Sequence, residues 1–158
     1  MEHDTQATRD EALSFLVNHD VGVLATASND GQPSSRMVYY TCDDSFNVYF
    51  ITLKNTRKVA QIKINPKVAF VVSETGTPHT IQIEGEAQDM SATATNDALV
   101  TDFIKRLASH KQFGIPLTHL DASELVFYKI SPTWIRWGDF TFGTGTDTVL
   151  TQLAVEPE

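Results

Sequence analysis

A chain of 158 residues, 41% hydrophobic and 20% charged, fits one compact domain that buries enough apolar surface to need no metal or disulfide staple. The net charge of -8 sets the surface against nucleic acid and anionic lipid, and no run approaches the ~18 apolar residues of a membrane span. The single cysteine, Cys42, has no internal disulfide partner, and the acidic, polar opening MEHDTQATRDEA lacks the form of a secretory signal, so the expectation is a cytoplasmic protein.

In chain order, DEALSFLVNH sets Ala12, Leu13, Phe15 and Leu16 on one side at helical spacing and predicts a short amphipathic helix. VGVLATAS, dense in small and β-branched residues, predicts a strand, and Asn29-Asp30-Gly31 a tight hairpin turn. A second strand is expected over Ser35 to Thr41, a turn over Cys42 to Ser45, and a third strand over Asn47 to Leu53. Asn55 or Thr56 caps a helix through Arg57, Lys58, Val59, Ala60, Ile62 and Ile64. Asn65-Pro66 ends it, because the residue before proline disfavours helical backbone.

Lys67 to Ser73 reads as a buried strand, Gly76-Thr77-Pro78 as a turn, and Thr80 to Gln88 as a long alternating strand whose Gly85 points to a bulge or barrel bend. Thr93 to Ser109 is helical, with Ala98, Leu99, Phe103 and Leu107 at suitable spacing. An irregular loop from Gln112 to Leu120 and a last strand from Glu124 to Trp137, interrupted near Pro132, follow. The tail 140–158 is expected to cross the surface or fray. About six strands joined by short turns make the fold mainly β, a closed or split antiparallel barrel with flanking helices. One domain of core 11–137 results, and periodicity alone leaves a sandwich equally open.

Chemistry concentrates in VYFITLKNTRKVAQIKINPKVAF, where a strand ends at Thr52 and Leu53 and a helix starts at once. The first turn of a helix presents unpaired N–H groups and the positive end of the dipole, so Arg57 and Lys58 there work against the field. A bound phosphate resolves that conflict by accepting from the backbone and from both side chains, with Arg36 on a neighbouring strand as a third cation. The competing reading is a solvated basic pair, and no phosphate-loop signature is present.

Other chemistries have thinner support. His3, His19, His79, His110 and His119 show no metal-ligand spacing, so no metal is expected. There is no GxSxG elbow, and Asp43 and Asp44 beside Cys42 argue against a reactive thiolate. Glu84 and Glu86 share one face of a strand and read as an outward edge more readily than as an acid/base pair. Trp134 and Trp137 are suited to packing on a planar ring, although a core or interface role is the commoner one.

The ordered set of segments resembles the FMN-binding split-barrel family of pyridoxamine 5'-phosphate oxidase-like proteins. From about Glu11 to Trp137 it runs helix, GVLATASNDGQPSSRMVYY, a strand into NTRKVAQIKINPKVAF, IQIEGEAQ, a helix, then YKISPTWIRW. The resemblance implies a six-stranded Greek-key split barrel that forms a homodimer with FMN between the subunits. It implies that Arg36, Arg57 and Lys58 hold the FMN phosphate and that Met37, Val38 and Tyr39 border the flavin. Ile51 and Thr52 would contact the ring or ribityl chain, Thr80 or Gln82 would reach FMN across the interface, and Trp134 or Trp137 would lie near the flavin. Two departures bear on substrate. Thr41 stands where the oxidase has a phosphate-binding lysine, and WGDFTFGTG follows where it has an Arg-x-His motif. The resemblance thus extends to an FMN site and not to pyridoxamine phosphate oxidation.

The expected function is an FMN-dependent oxidoreductase acting on a small molecule, with the flavin carrying the redox chemistry. Two alternatives stand beside it: a non-catalytic flavin-binding, electron-carrier or stress-related protein, and a relative that binds a deazaflavin or haem. The -8 charge counts against a deazaflavin's polyanionic tail, and no histidine is clearly placed as a haem ligand.

Overall fold

The computed structural model describes residues 4–93, 98–109, 121–141 and 150–157. Helix α1 (Gln6–Asn18) starts a turn earlier than its apolar pattern because Thr5 caps it, Thr5 Oγ1 accepting from Thr8 N at 3.2 Å. Strands β1 (Val21–Ala27), β2 (Pro33–Cys42) and β3 (Val48–Leu53) follow, then α2 (Arg57–Ile64), β4 (Lys67–Ser73), β5 (His79–Asp89), α3 (Ala98–Ser109), β6 (Leu125–Asp139) and β7 (Leu150–Leu153).

The strands are hydrogen-bonded in the order β3-β2-β1-β4-β5-β6-β7, and β3 also pairs with β6. That second pairing closes a six-stranded antiparallel barrel, and the β4-β1-β2-β3 order is a Greek key. The split lies along one edge of β6. Its first half, Leu125 to Ile130, pairs with β3, and its second half, Ile135 to Gly138, pairs with β7.

Alternation sorts the side chains. One cross-strand row, Arg36–Leu24–Phe70–Ile83–Ile135–Leu153, has inward-facing neighbours, and from Leu24 onward every member is buried. The next row, Met37–Val23–Val71–Gln82–Arg136, runs over the outer face. Inside, Tyr40, Phe50, Phe70, Ile81, Tyr128 and Ile130 form the centre of the core, and Leu16 of α1 closes one end, its carbonyl accepting from Tyr40 Oη at 2.6 Å. Helix α3 lays Val100, Phe103 and Leu107 over Phe127, Tyr39, Tyr49 and Ile51 on the outside of the barrel, and burying each large side chain contributes roughly 1.5–3 kcal/mol.

Several boundaries differ from expectation. Cys42 belongs to β2, opposite Val48, because Asp43 rather than Cys42 opens the turn: its carboxylate accepts from the backbone N–H of Ser45 and Asn47. Pro132 does not interrupt β6. It sits beside a bulge in which Thr133 is the extra residue, a position where a missing N–H is harmless. Thr93, expected to start the helix, instead closes a turn, its N–H donating to Met90 O at 3.0 Å, and the described part of the helix spans Ala98–Ser109. The tail does not only fray: Thr151 and Leu153 are buried as β7 continues the sheet. The expected loop at Gln112–Leu120, the tail stretch 142–149 and residues 94–97 lie outside the described residues. Among the described residues, no helix is long and apolar enough to cross a membrane.

Candidate functional site

The corner between β1, β2, β3 and the start of α2 gathers charge. Arg36 projects from β2, and its Nη1 donates to Thr26 Oγ1 of β1 at 2.6 Å while Nη2 lies 3.5 Å from Gln61 Oε1 of α2. Thr26 Oγ1 in turn donates to Gln61 Oε1 at 2.6 Å, and both residues are buried. Lys58 reaches back from α2 and donates from Nζ to Thr52 Oγ1 at 2.8 Å. Neutral oxygens therefore steer both cations. Among the described residues no carboxylate pairs with Arg36, Arg57 or Lys58.

The electrostatics follow from that arrangement. Burial, and then the nearby Arg57, hold the Arg36 guanidinium below its ordinary pKa. Burial, and then Arg36, do the same to the Lys58 ammonium. The first turn of α2 contains no acid, and its cap residue Thr56 gives no side-chain acceptor to the helix. Instead the Thr56 hydroxyl donates to Leu53 O at 3.1 Å. Uncapped first-turn N–H groups, the positive helix end and three cations thus share one corner, a donor set suited to a phosphate or similar anion.

The remaining residues singled out from sequence divide by face. Met37, 69% exposed, and Gln82 lie in the same outer row. Gln82 and Trp134 line a groove of about 250 Å3 with Val23, Ala25, Ala69, Val71 and Glu84. The Arg136 guanidinium covers the Trp134 ring at 4.8 Å. Thr80 lies at the end of that face, its hydroxyl donating to Val72 O at 3.2 Å. Tyr39 and Ile51 pack beneath α3. Two residues face inward: Val38 is in the core, and Trp137, only 3% exposed, packs edge-on to Phe15 and flat against His79. Of the tryptophans, only Trp134 presents its ring to the outer groove.

A family model for pyridoxamine 5'-phosphate oxidase matches residues 8–137. The chain belongs to the pyridoxamine 5'-phosphate oxidase family. A relative from Bordetella petrii, named pyridoxine/pyridoxamine 5'-phosphate oxidase, is 33% identical over 84 residues. That match takes in 52% of this chain and spans only 40% of the relative's length. Among solved structures, an F420 reductase superposes with a TM-score of 0.62 at 24% identity, covering 77% of this chain and 93% of that one. A FAD-binding protein from Mesorhizobium loti gives 0.56 at 21% identity, covering 79% and 89%. A heme binding protein from Mycobacterium smegmatis gives 0.61 at 14% identity, covering 96% and 59%. At such identities the structural likeness is one of fold.

Within this family fold, sequence reasoning missed Thr26 and Gln61. Neither carries charge, and what links them to Arg36 is burial across three elements, for which a linear pattern has no sign. Arg136 was missed too, since a single arginine in a strand is unremarkable until its strand register places it over Trp134. Thr41 lies under α3, where Arg106 Nη1 donates to its hydroxyl at 3.2 Å. Burial first, and then Asp43, push the Cys42 thiol's pKa up to about 12, which disfavours a thiolate, with burial rather than the neighbouring acid as the main cause.

Proposed function

We propose that the protein is an FMN-dependent oxidoreductase whose cofactor phosphate is held by Arg36, Arg57, Lys58 and the first-turn N–H groups of α2. The observation that carries this reading is the convergence of three cations on a helix N-terminus with no carboxylate among the described residues to neutralise them. A dianion satisfies them all at once. Thr26 and Gln61 orient Arg36, and Thr52 orients Lys58, so little ordering remains to be done on binding.

The flavin ring then belongs on the outer face, bordered by Met37 and the backbone of Val38 and Tyr39, with Ile51 and Thr52 toward the ribityl chain. FMN supplies hydride and electron transfer when bound, and the protein's part is to position it and exclude competing reactions. The apolar outer faces of β1 and β4, with Val23, Ala25, Ala69 and Val71, support a homodimer in which Thr80, Gln82 and Trp134 approach the cofactor across the interface. Pyridoxamine 5'-phosphate is a poor fit as substrate. The position of the oxidase's phosphate-binding lysine is Thr41, buried and bonded to Arg106.

The absorption spectrum of the purified protein, with mass analysis of the released ligand, tests the reading. FMN in stoichiometric amount supports it, whereas a Soret band or a deazaflavin overturns the choice of cofactor. Steady-state oxidation of NADH or NADPH then separates an enzyme from a flavin carrier, because a carrier keeps FMN and turns over neither.

A further inference from the structure

Where the middle of α1 meets the start of β5 and the end of β6, three metal-ligating side chains from three elements converge. His79 opens β5 and stands directly across the ladder from Asp139, the last residue of β6. Glu11 projects toward them from α1, one helical turn before Phe15. His79 Nε2 lies 3.9 Å from Glu11 Oε1 and 3.4 Å from Asp139 Oδ1. One donor atom from each of the three residues lies within 4.8 Å of the others.

These separations are informative. A good N–H···O bond spans about 2.7–3.2 Å, and both distances exceed that. Neighbouring ligands around a first-row cation, with metal–ligand bonds of about 2.0–2.2 Å, stand roughly 3–3.5 Å apart, so the His79–Asp139 pair at 3.4 Å already fits and Glu11, at 3.9 Å from His79, has to close in slightly on binding. His79 Nε2 faces two carboxylate oxygens, a donor set of one imidazole and two carboxylates that suits a divalent cation.

The imidazole is also held in place. Its ring stacks on Trp137 with centroids 5.2 Å apart and planes 14° from parallel, and Phe15 meets it edge-on at 6.1 Å. Asp139 is fixed by the backbone N–H and hydroxyl of Thr141, and the strand end by Phe140 N donating to Pro78 O at 2.7 Å. Side chains already restrained lose little entropy on ligation. All three residues are partly accessible, so a cation has a path in and water completes its shell.

We propose that Glu11, His79 and Asp139 form a divalent transition-metal site of zinc type, separate from the cationic corner at α2. One imidazole and two carboxylates offset the charge of a borderline dication. Bound there, the metal staples α1 to the ends of β5 and β6 over Trp137, at the mouth of the core. Linear spacing does not reveal it, because the ligands come from distant elements.

The test is calorimetric titration of the chelator-treated full chain with zinc chloride, alongside thermal melting with and without zinc. The expected result is one saturable site per chain and a melting temperature several degrees higher in excess metal. Glu11→Gln, at an exposed helix position, and His79→Gln should each weaken binding by roughly tenfold or more, since even outer-shell losses cost 10–100-fold. Glu11→Gln removes a ligand without touching the core, so it decides the matter should His79→Gln fold poorly. No saturable binding, or binding that Glu11→Gln leaves unchanged, overturns the proposal.

Discussion

Lys58 Nζ bonds to Thr52 Oγ1 at 2.8 Å, which ties the first turn of α2 to the strand that leads into it. The bond aims the ammonium at the corner that Arg36 enters from the other side, and each of these cations is held below its ordinary pKa by burial and a like-charged neighbour. A lysine with a lowered pKa in the folded state opposes folding while it is charged. The arrangement makes sense as a site that an anion completes.

Replacing Arg57 and Lys58 together with alanine should weaken FMN binding by several kcal/mol, since charge-assisted hydrogen bonds contribute roughly 1.5–3 kcal/mol each. Fluorescence titration of the ligand-free protein measures it. The same double variant should melt no lower than the ligand-free wild type, because two charges that repel Arg36 have gone. Undiminished affinity removes these residues from the site.

A pH-dependent contact lies at the end of α1. His19 Nδ1 is 2.7 Å from Phe15 O and Nε2 is 3.0 Å from Glu74 Oε2, so both ring nitrogens face acceptors and only the doubly protonated ring satisfies both. Burial opposes that charge, but the Phe15 carbonyl and Glu74, with a smaller contribution from Asp20, outweigh it and raise the pKa above 6.5. A group whose pKa is raised on folding stabilises fully below its unfolded value, and the effect is lost as pH rises through the folded value. Melting temperatures of wild type and His19→Gln should therefore differ most at acidic pH and converge above the folded pKa. A gap that stays constant with pH removes the ionic contribution.

The outer row is the surface on which a dimer would rest. Val23, 37% exposed, sits in its middle between Met37 and Val71, and its side chain supports none of the barrel interior. Val23→Glu should leave the circular dichroism spectrum intact. If the proposed dimer rests on this face, light scattering should show the variant as a monomer, since like charges brought together in an isologous contact repel, and FMN binding should fall with it. A variant that remains dimeric places the contact elsewhere.

Much of this was legible in the sequence where period and chemistry agreed. The alternation of β5 and the Asn-Pro stop of α2 are local signals, and strand and helix ends fall near where they point. Arg57 and Lys58 were legible because a basic pair in a first helical turn violates dipole preference, a conflict visible without coordinates, and Arg36 followed only as a cation on a neighbouring strand. Thr26, Gln61 and the Glu11–His79–Asp139 cluster were not, because each acquires meaning only from strand register and burial. Trp134 and Trp137 illustrate the limit at its sharpest. Their spacing of three in a strand puts them on opposite faces, and no composition argument says which face is the core.

Gly85 offers a stability test of the register. It pairs with Pro132 beside the Thr133 bulge, and a Cβ built on it would stand 2.3 Å from Ser131 O and 3.1 Å from a methyl of Ile130. The first neighbour is backbone within a paired strand, which has no rotamer by which to retreat. Gly85→Ala therefore has to open the β5–β6 ladder at its bend, and overpacking of this kind costs typically 1–3 kcal/mol. Urea unfolding should show a lower midpoint with an unchanged slope, as expected for lost stability without a change in the surface exposed. A midpoint equal to that of wild type means that the strands are not in contact at this position, and the bulge belongs to a different register.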